Sequence, residues 1–304
     1  MDFGKVENLD EVDFTLPDDH PDTERLFKSL KKSVKQKQEV YVGCAKWGIK
    51  EWNGKLYPPK TKEKDFRVEY LKQFNCIELN PTHYRIQSAA SIKEWKTGAE
   101  KEFKFCPKFY QGISHFGRLK NCERLTQEFY DSINNFESNL GTCFLQMPPN
   151  FPPKNFSDLE NYLKSLPKKP EVCLELRHPL WYSDAAISGE TYEMLKENNT
   201  GFVITDTAGR RDIIHMRLST PAAFIRFVGN SLHPTDYTRI DEWVLRIKQW
   251  LKSGIHKVYF LMHMHDERYS PELCVYTIKE LNKKCGLKLK EPILFNAGEP
   301  EKIF

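Results

Sequence analysis

Eight short apolar runs, each separated from the next by a more polar stretch, constrain this chain more than any other feature of its sequence. They start about 31 residues apart on average, which is the length of one strand and one helix. No Gly-x-Gly-x-x-Gly motif follows any run, and this disfavours an open doubly wound sheet. The pattern therefore predicts an α/β fold in which the runs form a (β/α)8 TIM barrel. The runs start at residues 40, 75, 103, 142, 171, 201, 223 and 257.

The 304 residues divide around this pattern into a single domain and two appendages. Residues 1–38 form an N-terminal extension, in which we expect one amphipathic helix over 22–38. The barrel domain takes residues 39–285, and residues 286–304 form a C-terminal tail. The end of the expected helix is basic, with lysines at Lys31, Lys32, Lys35 and Lys37.

Composition limits the cellular compartment and the classes of partner that we expect for this chain. The chain has 46 basic and 42 acidic residues, and a net charge of +4 gives no independent argument for nucleic acid. Its eight cysteines show no CxxC spacing and several lie in apolar runs, which indicates free thiols in a core. The acidic N-terminus lacks an apolar signal segment, and no apolar run reaches membrane-spanning length. We therefore expect a cytoplasmic protein without a membrane partner; its oligomeric state cannot be read from the sequence.

Charged side chains stand at the carboxyl ends of most of the predicted strands. In a barrel these ends meet at one mouth, where catalytic groups lie, and buried charges are rare unless they are paired. A salt-bridge network that serves only stability is the structural alternative. The candidate catalytic residues are Lys108, Glu175, Arg177, His178 and Asp206. The candidate substrate-binding residues are Trp47, Glu78, Asn80, Tyr84, Gln146, Trp181, Arg226 and His263.

The mixture of charges indicates acid–base chemistry on a small polar or anionic substrate, of hydrolase or isomerase type. Glu175 or Asp206 would be the base and His178 the acid or its partner. Lys108 or Arg226 would stabilise developing negative charge, and Arg177 and Arg226 could hold a carboxylate or phosphate. A Schiff base at Lys108 is a further alternative, for which no neighbouring residue is diagnostic. This hypothesis requires no cofactor.

Several motifs around these strand ends resemble a known family. They are VGCAKWGIKEWNGKLYPP from residue 42, IELNPTHY from 77, FKFCPK from 103, ISH from 113, LGTCFLQMPPNF from 140 and LELRHPLW from 174. Through them, residues 40–265 resemble the DUF72 (YecE-like) family of TIM-barrel proteins. The resemblance implies the barrel and names no substrate. Two positions depart from the family pattern: Val228 replaces a usual histidine, and His263 lies in Met-His-Met where Phe-Asn-Asn is usual.

Two other functions remain open for the same mouth. Its carboxylates and histidines could bind a divalent metal ion, as in hydrolases of the endonuclease IV type, although the neighbouring cations disfavour this. A nucleic acid could also bind there, with Trp47 and Trp181 stacking on bases and the lysine run supplying positive charge. The sequence is therefore compatible with both an enzymatic and a binding function.

Overall fold

Strands occur at the eight predicted places, and the pairings between them are parallel. A computed structural model describes residues 3–30 and 37–295 of the chain. Its strands are β1 (Glu39–Cys44), β2 (Cys76–Leu79), β3 (Lys104–Pro107), β4 (Cys143–Gln146), β5 (Val172–Glu175), β6 (Gly201–Asp206), β7 (Ala222–Gly229) and β8 (Lys257–Met264).

The helices fill the intervals between the strands. They are α1 (Pro21–Leu30), α2 (Phe66–Gln73), α3 (Pro81–Tyr84), α4 (Ala89–Lys96), α5 (Glu123–Ile133), α6 (Phe156–Ser165), α7 (Leu180–Ser183), α8 (Ala185–Glu197), α9 (Pro234–Lys252) and α10 (Ser270–Cys285). Local signals set several of their ends. Asp184 caps α8 by accepting hydrogen bonds from two backbone N–H groups, and Gly286 ends α10 with a left-handed φ of 69°.

The strands form a curled six-stranded half-barrel in the order β1-β8-β7-β6-β5-β4, with β2 and β3 paired beside it. The Asn75 side chain joins the pair to β1, because it accepts from Val42 N at 2.9 Å and donates to Val40 O at 2.9 Å. On the other side, Phe109 N donates to Phe144 O at 3.0 Å. The α/β class and the parallel arrangement are thus confirmed, in two sheets rather than one continuous sheet.

Alternation along the strands separates two apolar cores. The larger core lies between the sheet and the helices. The smaller one, which we call the floor, lies on the inner face, and it comprises Tyr41, Cys76, Cys106, Phe144, Cys173, Val203, Phe224, Tyr259 and Leu261. All eight cysteines are free thiols, as expected. Side chains two positions beyond the floor residues share its face and stand at the carboxyl ends of the strands.

The N-terminal segment of residues 3–30 packs on the domain instead of standing apart from it. Thr23 Oγ1 donates to Met216 O at 2.9 Å, and Asp19 accepts from Trp250 Nε1 at 3.0 Å. The expected helix over 22–38 is described only as far as Leu30, so Lys31, Lys32 and Lys35 lie outside the described residues. No helix in the described ranges is both long and apolar enough to cross a membrane.

Candidate functional site

Arg226 on β7 is the centre of a buried charge cluster on the inner face. Its Nε and Nη2 donate to the two oxygens of Glu78 at 2.8 and 2.9 Å, and its Nη1 donates to Glu175 at 2.8 Å. His263 Nε2 lies 2.8 Å from Glu78 Oε2 and 3.2 Å from Arg226 Nη2. Burial opposes ionisation of Glu78, but Arg226 and His263 outweigh it and hold the pKa of that carboxyl well below its usual range. This half of the cluster is an internally satisfied ion-pair network.

Arg177, just beyond β5, has a spare donor. Its Nε donates to Glu175 Oε1 at 2.7 Å, while its buried Nη2 has no hydrogen-bond partner in the described part of the chain. The side chain is only 9% exposed. Its guanidinium carbon lies 3.9 Å from the ring centre of Phe3, which belongs to the N-terminal segment. A buried guanidinium N–H without an acceptor is costly, so this atom suits an anion.

Lys108, just beyond β3, has no carboxylate partner in the described ranges. Its Nζ donates to the amide oxygen of Gln146 at 3.1 Å, and no carboxylate of a described residue lies within ion-pair distance of it. Burial, reinforced by the positive charge of Arg226, lowers the pKa of Lys108 to about 8. We call Glu78, Lys108, Glu175, Arg177 and Arg226 the inner cluster.

Two histidines from the loops after β2 and β3 stand near Lys108, and sequence reasoning did not select them. The rings of His83 and His115 meet edge to face with centres 4.8 Å apart. His83 Nδ1 lies 2.7 Å from Phe109 O, and His115 Nδ1 lies 2.8 Å from Ser114 Oγ. Burial, with a contribution from Lys108, lowers the pKa of each imidazole to about 4, so both are neutral at pH 7. His115 sits in a π-helical turn, a feature frequent at functional sites.

An open cavity of about 470 Å³ lies beside the inner cluster, between the ends of β1 and β2. Trp47, Asn80 and Tyr84 line it, and Glu78 reaches it. Asn80 Nδ2 donates to Glu78 Oε1 at 3.0 Å, while the Tyr84 side chain is 69% exposed. Four of the predicted substrate-binding residues therefore line a cavity large enough for a small molecule.

Asp206 does not join these groups, and the expectation that it points inward is wrong. The register pairs Thr205 with Arg226, which places Thr205 on the inner face and Asp206 on the outer one. There Asp206 accepts from Arg239 Nη2 and Trp243 Nε1, both at 2.7 Å. Arg211 also donates to it. We call Asp206, Asp236, Arg239 and Trp243 the outer cluster.

Two further candidates serve local structure. The indole of Trp181 is buried and its Nε1 donates to Phe151 O at 2.6 Å, so the expectation of a rim aromatic is wrong. His178 is half-buried, and its Nδ1 accepts from Leu180 N at 3.2 Å, which begins α7. Among the residues described, no group of three or more His, Cys, Asp or Glu side chains is arranged to hold a metal ion. Of the lysine run, only Lys37 is described, and it is exposed.

Comparison with known proteins now gives the family. The sequence profile described as "Protein of unknown function DUF72" matches residues 41–294. The chain belongs to the DUF72 family. The UPF0759 protein YecE of Escherichia coli K12 is 27% identical over 259 residues, which are 79% of this chain and 92% of YecE. The UPF0759 protein YunF of Bacillus subtilis is 28% identical over 152 residues, or 47% of this chain and 52% of YunF.

Solved DUF72 structures share the fold. A DUF72 protein of Enterococcus faecalis aligns with a TM-score of 0.62 at 17% identity, over 83% of this chain and 99% of that one. A DUF72 protein of Thermotoga maritima aligns with a TM-score of 0.62 at 23% identity, over 82% and 100%. At these identities the likeness concerns the fold alone.

The two departures from the DUF72 pattern turn out to be neighbours. Val228 on β7 is the register partner of His263 on β8. The chain therefore has an imidazole directly beside the position where the resemblance leads one to expect a histidine. His263 contacts Glu78 and Arg226, so it lies against the inner cluster.

Proposed function

We propose that this DUF72 protein is an enzyme that binds a small anionic substrate at the carboxyl ends of its strands and acts on it by acid–base chemistry. Hydrolysis and isomerisation are the reaction types that such groups serve. The observation that carries the proposal is the buried Nη2 of Arg177, which has no acceptor among the described residues. The eight strands would close as a (β/α)8 barrel through the contacts of Asn75 with β1 and of Phe109 with Phe144.

The charge balance of the inner cluster supports an anion rather than a cation. Glu78 and Glu175 carry two negative charges, whereas Arg177, Arg226 and Lys108 carry three positive charges at pH 7. An uncompensated charge in a buried site is unfavourable. A carboxylate or phosphate would supply the missing negative charge, and a divalent metal ion would add to the excess.

The proton-transfer groups follow from the same balance. Arg226 and Arg177 hold Glu175 ionised against the effect of burial and keep its pKa low, which makes it a positioning group for the two arginines rather than a base. Lys108 has a pKa of about 8, near the working pH, and so suits proton exchange. His83 and His115 provide neutral imidazoles close by.

Calorimetric titration with inorganic phosphate, sulfate and small carboxylates tests the proposal. At least one anion should bind the wild-type chain, and Arg177→Met should weaken that binding by about 10–100-fold. Arg268→Met is the control, because Arg268 also faces an aromatic ring, that of Tyr269 at 5.7 Å, and is paired with Asp266 at 2.7 Å. If no anion binds, or if both variants lose binding equally, the proposal fails.

A further inference from the structure

The side-chain nitrogen of Lys108 bonds to a neutral amide and to no carboxylate of a described residue, which suggests a chemical role beyond its charge. We propose that Lys108 Nζ is a covalent nucleophile, which forms a Schiff base with a small aldehyde or ketone whose anionic group is bound by Arg177. This inference rests on the proposed function, because the anion site orients the carbonyl compound. It adds to that function a substrate class and an attacking atom.

The first support is the way in which the fold holds Lys108 in place. Its backbone N–H donates to Leu79 O at 3.2 Å, and its carbonyl accepts from Thr82 Oγ1 at 2.8 Å. It also forms a parallel bridge with Phe144. The lysine stem therefore rises from backbone that is fixed on both sides, and its tip lies among charged groups instead of extending into solvent.

The second support is what the amine does not contact. Two carboxylates belong to the same cluster, and a lysine that served only to neutralise charge would pair with one of them. Arg226 and Arg177 already occupy Glu78 and Glu175, so Lys108 Nζ is left with the neutral amide of Gln146. Burial favours its neutral form, whose lone pair can attack carbon.

The step balances without an oxidant or a reductant. The lone pair of neutral Lys108 Nζ attacks the carbonyl carbon, the carbonyl π electrons move to oxygen, and a proton passes from nitrogen to that oxygen. The C–O bond of the resulting carbinolamine then breaks, with a second proton carried to the departing oxygen, and water leaves. Overall, one carbonyl compound and the ammonium form of Lys108 give one iminium and one water. His83 and His115, whose imidazoles are neutral and feel the charge of Lys108, are the groups proposed to carry these protons.

The test is reductive trapping on the full chain. The protein is incubated at pH 7 with cyanoborohydride and one of three probes, and adducts are located by peptide mass spectrometry. Glyoxylate carries a carboxylate, glycolaldehyde phosphate carries a phosphate, and glycolaldehyde carries neither. We expect Lys108 to be labelled more than about tenfold faster than exposed lysines by at least one anionic probe, since its lower pKa leaves more neutral amine. Which probe succeeds distinguishes a carboxylate ligand from a phosphate ligand.

Variants separate this inference from the proposed function. Lys108→Met should lose the adduct, and Lys104→Met, from the same strand, should keep it, because Lys104 Nζ bonds to Ser138 O at 2.5 Å. Arg177→Met should slow labelling by an anionic probe at least about tenfold. If anions bind in calorimetry but no anionic probe labels Lys108 selectively, the nucleophile is refuted and the anion site stands.

The remaining outcomes are also decisive. If only the neutral probe labels Lys108, the lysine is nucleophilic but the anion site fails. Should Lys108→Met not fold, competition by excess phosphate in the wild-type chain replaces it. Phosphate must then slow labelling of Lys108 by the anionic probe and leave the exposed lysines unaffected; equal rates would refute the inference.

Discussion

Arg226 and Arg239 are two buried arginines on opposite sides of the same sheet, and each binds two carboxylates. Arg226 contacts Glu78 and Glu175 in the inner cluster. Arg239 contacts Asp206 at 2.7 Å and Asp236 at 3.3 Å in the outer cluster. By burial and ion pairing alone the two clusters are nearly equivalent.

The two clusters differ in their balance of positive and negative charges. The guanidinium carbon of Arg239 lies 4.1 Å from the ring centre of Phe227 and 4.9 Å from that of Phe14. Its Nε has no hydrogen-bond partner among the described residues. Arg239 and Arg211 together balance the charges of the two aspartates. The inner cluster instead has three cations against two carboxylates. Buried charge and a donor without an acceptor in the described part of the chain occur in both clusters, so neither marks a functional site by itself; the excess of positive charge sets the inner cluster apart.

Removing Arg239 should have the largest effect and should act on stability alone. Arg239→Met leaves two buried aspartates poorly compensated, so we expect the free energy of unfolding to fall by about 3–5 kcal/mol. Urea denaturation measures this, and phosphate affinity should change by less than about twofold. Arg246→Met is the control on the same helix, because its single described partner Asp19 keeps the Trp250 Nε1 donor, so the loss should be clearly smaller. Equal losses in the two variants would contradict the role given to the outer cluster.

Removing Arg177 should weaken anion binding more than it lowers stability. Arg177→Met deletes the free donor, and one charged hydrogen bond corresponds to about 1.5–3 kcal/mol of binding. We expect the affinity for the best anion to fall by the matching factor of about 10–100. The free energy of unfolding should change less than in Arg239→Met, since Glu175 keeps Arg226 as a partner. A stability loss as large as that of Arg239→Met would make Arg177 a structural residue.

Lys108→Met should raise stability by about 1–3 kcal/mol at pH 7, because it removes a buried charge that has no carboxylate partner. The folded pKa of about 8 lies below the ordinary lysine pKa of 10.5. Between these values the unfolded chain binds more protons, so the wild-type protein gains stability as the pH rises through this window. The advantage of the variant should therefore be full below pH 8 and fade towards pH 10.5. Chemical denaturation across this range measures it, with Lys104→Met as the variant that should show no such trend.

The smallest expected effects concern the two phenylalanines of the N-terminal segment. Phe3 covers Arg177, and Phe14 covers Arg239. Replacing either with alanine should lower the free energy of unfolding by about 0.5–1 kcal/mol, the range of a partly exposed cation–π contact. Only Phe3→Ala should also weaken anion binding, by about two- to fivefold, because water then competes at Arg177. Equal anion affinities in the two variants would show that Phe3 only anchors the segment.

Strand positions and most inward residues could be predicted because a strand alternates. Once Cys76, Cys106 and Cys173 are taken as inward, Glu78, Lys108 and Glu175 follow two positions later. Asp206 could not be placed in this way, because β6 is buried on both faces and its sequence GFVITD shows no polar alternation. Trp181 was misplaced because a buried tryptophan and a rim tryptophan look alike in sequence.

The rest of the site depends on loops and on distances between strands. His83 follows the predicted second strand by three residues and His115 follows the third by seven, in segments that have no period to fix the direction of a side chain. The division into six strands and two falls where β2 and β3 meet their neighbours through isolated contacts rather than a continuous ladder. The contact between β1 and β2 depends on single hydrogen bonds, such as those of the Asn75 side chain, and such bonds leave no pattern in the sequence.

The stacking of Phe3 on Arg177 has a practical consequence for recombinant protein. Any purification tag or fusion partner joined ahead of residue 3 is tethered within a few ångströms of the proposed anion site. A polyhistidine tag there would bring imidazoles, and chelated nickel, to the opening whose ligand is being sought. Assays of this chain should therefore use a cleaved product or a tag at the opposite terminus, so that a weak natural ligand is not displaced by an engineered one.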